Sequence, residues 1–158
     1  MSEGDGARGL VIGIGNALRG DDAVGLLAAR RARELAGPGV EVLELEGEPV
    51  DLIGAWQGAA AVTVLDGVRS GAEPGAVVVH DASTPLPPTL TAASTHALGL
   101  AEAIELARSL GRLPGRLVVI GVEILDVSPG APITPAVRAA VDQAAAEALA
   151  FLSRPART

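Results

Sequence analysis

A chain of 158 residues that is 49% hydrophobic is long enough for one well-packed domain and too short for two ordinary ones. It contains no cysteine, which excludes disulfides, thiolate metal sites and a cysteine nucleophile, so any metal it holds must meet oxygen and imidazole. The formal net charge is -7 and all 12 basic residues are scattered arginines, which leaves no electrostatic footprint for nucleic acid or anionic lipid and points to protein partners. Aromatic residues make up 1% of the chain, Trp56 and Phe151, so the core must be built from Ala, Val, Leu and Ile, as suits a parallel sheet covered on both faces. The opening MSEGDGARG carries acids and no apolar h-region, and no later apolar run is long and uninterrupted enough to span a bilayer, so the expected location is the cytoplasm.

Taken in chain order, Gly9 to Ile14 is a short apolar run ending in Gly-Asn, the pattern of a buried strand entering a turn. From Asp21 onward, Val24, Leu27, Ala28, Arg31 and Leu35 recur at helical spacing until Gly37-Pro38-Gly39 stops them. Val40 to Leu45 alternates as a second strand, Pro49 to Trp56 reads as a short helix, and Ala60 to Leu65 as a third strand ending at Asp66. The linker 67–75 has turn residues and no helical period, so a fourth strand at Ala76 to Asp81 arrives without a crossover helix and is expected antiparallel at a sheet edge. The stretch 82–93 holds Pro85, Pro87 and Pro88 and reads as a loop, a candidate cover for a site. Ser94 or Thr95 caps a helix over Leu98 to Leu110, closed by Gly111, and Arg116 to Glu123 is the fifth strand. Thr134-Pro135, an N-cap followed by Pro at the first helical position, opens a final helix to about Leu152. The expected fold is α/β: a three-layer α/β/α sandwich around a mostly parallel five-stranded twisted sheet with one antiparallel edge strand. It forms a single domain, 1–158, with an ordered core over about 9–153.

In an open α/β sheet, ligands sit outside the carboxyl ends of the strands, near the point where strand order reverses. Three polar features fall there: the loop GIGNALRGDD after the first strand, Asp66 at the end of the third, and His96 at the start of the helix after the proline loop. Acid, acid and imidazole converging on one edge would make an open-sided oxygen and nitrogen site for a divalent cation. Each also has an ordinary reading. Asp21 and Asp22 can be an N-cap and a first-turn acid, Asp66 can start an Asp66-Gly67 turn, and His96 can bond a carbonyl at a helix start. His80 reads as an edge-strand residue with no acidic partner. The Gly-rich loop fails as a dinucleotide fingerprint, because Leu18 stands where GxGxxG counted from Gly13 needs glycine, and no GxxxxGK[ST] exists in a chain without lysine. Ribose recognition survives only through Glu44 or Glu46 near the end of the second strand.

With these residues in view, GIGNALRGDDAVG at 13–25 resembles the signature of the hydrogenase maturation endopeptidases, a strand followed by G-N-x-L-x-x-D-[DE]-x-x-G. In order after it, VTVLDGVRSG at 62–71, STHALGLAEAIELARSLGRLP at 94–114, VVIGVEI at 118–124 and ITPAV at 133–137 are similar to further family segments, so the resemblance spans nearly the whole chain. It implies an endopeptidase that removes a C-terminal extension from the [NiFe]-hydrogenase large-subunit precursor after nickel insertion, with Asp22, Asp66 and His96 as the catalytic, metal-contacting residues. Nickel would be presented by the precursor, with another divalent cation as the alternative. Asp22 stands where many members have Glu, and Glu46-Gly47-Glu48-Pro49 replaces a Gly-Gly-Thr-like turn after the second strand. Asp21 is then a candidate for orienting the site or capping the helix. Asn16 and the Gly13–Gly15 turn would set backbone donors near the substrate chain. A monomer is the default expected from the acidic surface. The competing expectation is a non-hydrolytic nickel- or nucleotide-binding accessory protein of metalloenzyme assembly.

Overall fold

The computed structural model describes residues 8–87 and 97–155. In chain order they form β1 (Gly9–Ile14), a 3-10 turn (Gly20–Ala23), α1 (Val24–Leu35), β2 (Val40–Leu45), α2 (Pro49–Trp56), β3 (Ala61–Val68), β4 (Val77–Asp81), α3 (Ala97–Ser109), β5 (Arg116–Glu123), α4 (Pro135–Ala139) and α5 (Val141–Ser153). The strands lie side by side as β2-β1-β3-β5-β4, parallel except for β4, which runs antiparallel to β5 at the edge. The expected mixed sheet is therefore present, and its central strands β1, β3 and β5 are buried on both faces. Leu10, Ile12, Ile14, Val62, Val64 and Val119 pack under α2 and α3, while Val11, Leu65, Val118, Ile120 and Val122 pack under α1 and α5. Both faces being dry explains why the central strands read as unbroken apolar runs. Among the described residues, no helix is long and apolar enough to cross a membrane.

Chain order β1, β2, β3 places β2 and β3 on opposite sides of β1, so the strand order reverses between β1 and β3. There α1 is seated unusually low on the sheet. A Cβ built on Gly25 would stand 2.3 Å from the Ile14 carbonyl oxygen and 2.6 Å from that of Leu65, and one built on Gly13 would stand 2.5 Å from the Gly25 carbonyl oxygen. Only glycine at both positions lets the helix start press against the carboxyl ends of β1 and β3.

Three sequence expectations are corrected. The helix expected from Asp21 opens instead as the 3-10 turn, with Asp21 and Asp22 inside it and no side-chain cap on it or on α1. Asp66 does not end β3: the strand continues to Val68, with Asp66, Gly67 and Val68 registered against Gly121, Val122 and Glu123. Asp66-Gly67 is thus strand and not a turn, because β5 supplies a partner just where β1 has stopped pairing. The final helix is two, α4 and α5, separated at Ala140, whose N–H bonds the Val137 carbonyl at 3.1 Å in a tightened turn that breaks the helical run. Thr134 stands at the N-cap position of α4, yet makes no side-chain cap bond there. The expected caps Ser94 and Thr95, residues 88–93 of the proline loop, and His96 lie outside the described residues.

Asp21 is the strut that ties the 3-10 turn to the segment between β5 and α4. Its Oδ2 accepts the Leu125 and Asp126 amides, each at 2.9 Å, and the Thr134 hydroxyl at 2.7 Å, while its Oδ1 accepts the Thr134 amide at 2.6 Å. The carboxylate is fully buried. Burial alone pushes its pKa up, but the donors from Asp126, Thr134 and Leu125 outweigh that and hold it below the ordinary value.

Two outcomes follow from this architecture. Gly25→Ala should destabilise the chain by about 2–3 kcal/mol in urea unfolding, since backbone must move to admit the methyl. Gly54→Ala, where a Cβ meets nothing within 4 Å on the exposed side of α2, should be neutral or stabilising by up to about 1 kcal/mol. For Asp21, a folded-state pKa lower than the unfolded one means its stabilisation is present above the unfolded value, near 4, and is lost as pH falls through the folded value. The stability gap between the parent and Asp21→Asn, measured in urea, should therefore narrow as pH falls from 5 towards 3; a constant or widening gap would count against it.

Candidate functional site

The carboxyl edge between β1 and β3 carries two buried carboxylates, Asp22 at 2% exposure and Asp66 at 1%. They reach it by different routes. Asp66 continues the row Val62, Val64, two residues apart on one strand, so it takes the next position on the face that α2 and α3 cover. Where that row would carry another core side chain it carries an acid. Its Oδ1 accepts the Gly67 amide at 2.8 Å, which orients the carboxylate from its own backbone. Asp22 lies in the 3-10 turn, three residues before Gly25, and Gly25 is the residue pressed against the Leu65 carbonyl. Asp66 is the residue after Leu65. The two aspartates thus flank one helix-to-strand contact, and the 3-10 turn itself packs against β3. Burying two carboxylates in one region is costly unless each is bonded, and neither is without a partner.

The third expected member, His96, lies outside the described residues. α3 begins directly after it, and a Cβ on Gly99 would stand 2.3 Å from the Gly47 carbonyl oxygen, which sets the start of α3 against the turn Glu46-Gly47-Glu48-Pro49 at the carboxyl end of β2. This helix therefore starts at the same sheet edge, over the face on which Asp66 lies. Among the described residues no group of three His, Asp or Glu side chains gathers around one point that could hold a metal ion. What they supply is a pair of hard oxygen donors, and that donor chemistry fits a divalent first-row cation once an imidazole is added.

Of the expected Gly13–Gly15 turn, Gly13 is inside β1. The Gly15 amide bonds the Leu45 carbonyl and the Asn16 amide bonds the Asp22 carbonyl, both at 3.3 Å, so these two main-chain donors are engaged within the chain. The Asn16 side chain accepts the Leu18 amide at 2.9 Å, shaping the exposed loop that ends at Gly20. Asp21 caps no helix; it bonds the segment that precedes α4. Of the two acids that ribose recognition could use, Glu44 is committed elsewhere, since it pairs with Arg30 at 2.7 Å and Arg33 at 3.5 Å, and the Arg30 hydrogen bond holds it below the usual carboxylate range. His80 sits in edge strand β4, its Nε2 3.4 Å from the Thr84 carbonyl oxygen, as an edge-strand residue should.

Two polar residues at this end of the sheet hold partners that the sequence does not reveal. Glu123, 4% exposed at the end of β5, accepts the Ser70 amide at 3.0 and 2.9 Å and the Ser70 hydroxyl, pinning the loop that follows β3. An acid closing the apolar run LVVIGVE was the available signal. Thr134 is the other; its pairing with a residue 113 positions away has no local signature.

Comparison with known proteins agrees with this architecture. A family model described as hydrogenase maturation protease matches residues 26–151. The chain is 36% identical over 133 residues to the hydrogenase expression/formation protein HupD of Bradyrhizobium diazoefficiens, covering 82% of this chain and 69% of that one. It is 30% identical over 147 residues to the hydrogenase 2 maturation protease of Escherichia coli, covering 90% and 89%. Among solved structures, an endopeptidase from Escherichia coli superposes with a TM-score of 0.80 at 28% identity, over 92% of this chain and 91% of that one. The [NiFe] hydrogenase maturation protease HybD from Thermococcus kodakarensis gives 0.75 at 25% identity, over 92% and 99%. On this combined likeness of sequence and fold, the chain belongs to the hydrogenase maturation protease family and is a peptidase.

Proposed function

We propose that this peptidase removes the C-terminal extension of a [NiFe]-hydrogenase large-subunit precursor after nickel has been inserted, acting through Asp22, Asp66 and His96. The observation that carries the reading is the pair of buried carboxylates on either side of one helix-to-strand contact, at the edge where the helix after His96 also begins. Relatives named as maturation proteases of hydrogenases, one of them of [NiFe] type, support the substrate class. Nickel belongs to the substrate in this account: it arrives in the precursor, and two carboxylates with one imidazole contact it and hold the neighbouring peptide in register. Three protein ligands leave a coordination position open for substrate atoms.

Hydrolysis then consumes one water. Its oxygen adds to the scissile carbonyl carbon, the C–N bond breaks, one proton goes to the departing nitrogen, and the products are a new C-terminal carboxyl group and the released peptide with a free amine. A carboxylate kept from bulk water is a competent base for that water. The enzyme acts in the cytoplasm as a monomer.

The test is incubation of the purified chain with a nickel-loaded large-subunit precursor, following the precursor's mass. The parent should shorten it by a C-terminal peptide, and Asp22→Ala, Asp66→Ala and His96→Ala should each slow that step by about a hundredfold or more. Cleavage at the parental rate by all three variants, or an unchanged precursor with the parent, would sink the reading.

A further inference from the structure

We propose that Asp21 and Thr134 form the positioning pair of this site: the Asp21 carboxylate, clamped by the Thr134 hydroxyl and by main-chain amides of the segment joining β5 to α4, sets where its neighbour Asp22 stands. The proposal rests on the reading of Asp22 as a site residue. Its first support is that Thr134 forgoes an ordinary structural task. It stands at the N-cap position of α4, where a threonine hydroxyl ordinarily caps the helix. That helix has no side-chain cap, and the Thr134 hydroxyl donates to the Asp21 carboxylate at 2.7 Å instead.

The second support is the weakness of the element that carries Asp22. A 3-10 turn of four residues without a side-chain cap has poor internal hydrogen bonding, so its placement depends on what the surrounding chain bonds to it. The surrounding chain supplies the clamp. Besides the four bonds accepted by the Asp21 carboxylate, the Asp21 amide donates to the Asp126 carbonyl at 2.8 Å and the Gly130 amide to the Leu18 carbonyl at 2.9 Å. Gly20, at φ +54, completes the seam, for a side chain there would meet the Asp126 carbonyl oxygen at 2.5 Å. The loop before Asp22 and the segment after β5 are thus one unit. Groups that orient a metal-contacting side chain in this manner commonly govern affinity and rate without touching the substrate.

Asp21→Asn, which turns an amide donor towards groups that already donate, and Thr134→Val, which keeps the shape and the main-chain amide, are made singly and together. Each is titrated with Ni2+ by calorimetry at 25 °C, assayed on nickel-loaded precursor and unfolded in urea. While still folded, each single variant should bind Ni2+ about tenfold more weakly and show a kcat about tenfold lower. The double variant should fall short of the product of the two losses, because both disrupt one clamp. Folded variants that lose stability yet match the parent in Ni2+ affinity and kcat would reduce the clamp to a structural tie and overturn the proposal. A parent that neither binds Ni2+ nor cleaves would overturn the site assignment, and the proposal with it, a failure visible in the parent alone. Should Asp21→Asn fail to fold, Thr134→Val decides on the same criteria.

Discussion

The seating of α1 on the ends of β1 and β3 is the contact from which the rest of the site descends. A helix normally stands off a sheet by the length of its side chains. Here Gly13 and Gly25 remove them, and main chain meets main chain at distances a methyl group cannot share. Lowering the helix start in this way brings the 3-10 turn that precedes it down to the sheet edge, and with it Asp22, beside the strand that delivers Asp66. The chemistry of the edge is therefore a consequence of close packing more than of any single polar bond. The same logic recurs at α3, where Gly99 lies against the Gly47 carbonyl and sets the start of the third helix over the same edge.

Much of the fold was legible because the central strands are dry on both faces. β1, β2, α2 and β5 begin and end where apolar runs meet Gly, Pro or acid, and the antiparallel β4 followed from a linker with no helical period. What was not legible depended on partners distant in sequence. Asp66-Gly67 carries a strong turn signal, and only pairing with Gly121 and Val122 keeps it in a strand. Thr134-Pro135 has the form of a helix start, and it is one, but nothing local shows that the threonine hydroxyl is drawn away by Asp21. Asp21 and Asp22 look alike in sequence as acids before a helix. The fold separates them, with Asp21 bonded to the segment before α4 and Asp22 buried at the β1–β3 edge.

The positions of the candidate site residues show the same division between motif and context. Family membership rests on likeness over most of the chain. Within it, Asp22 and Asp66 are buried where an α/β sheet places its reactive groups. Asn16 shapes its own loop, and its amide is bonded to the Asp22 carbonyl, so the loop and the candidate site residue are mechanically joined. Buried acids are expensive, and among the described residues Asp21, Asp22, Asp66 and Glu123 are all buried on this side of the sheet's carboxyl end. Glu123 is used to fasten the loop after β3.

The most direct test of the account is a crystal structure of the chain soaked in Cd2+ or Ni2+, with the ion located by its anomalous scattering. The account predicts one principal peak at the β1–β3 edge, about 2 Å from carboxylate oxygens of both Asp22 and Asp66 and from an imidazole nitrogen of His96. A principal peak elsewhere, or aspartate side chains turned away from each other with no ion between them, would contradict it.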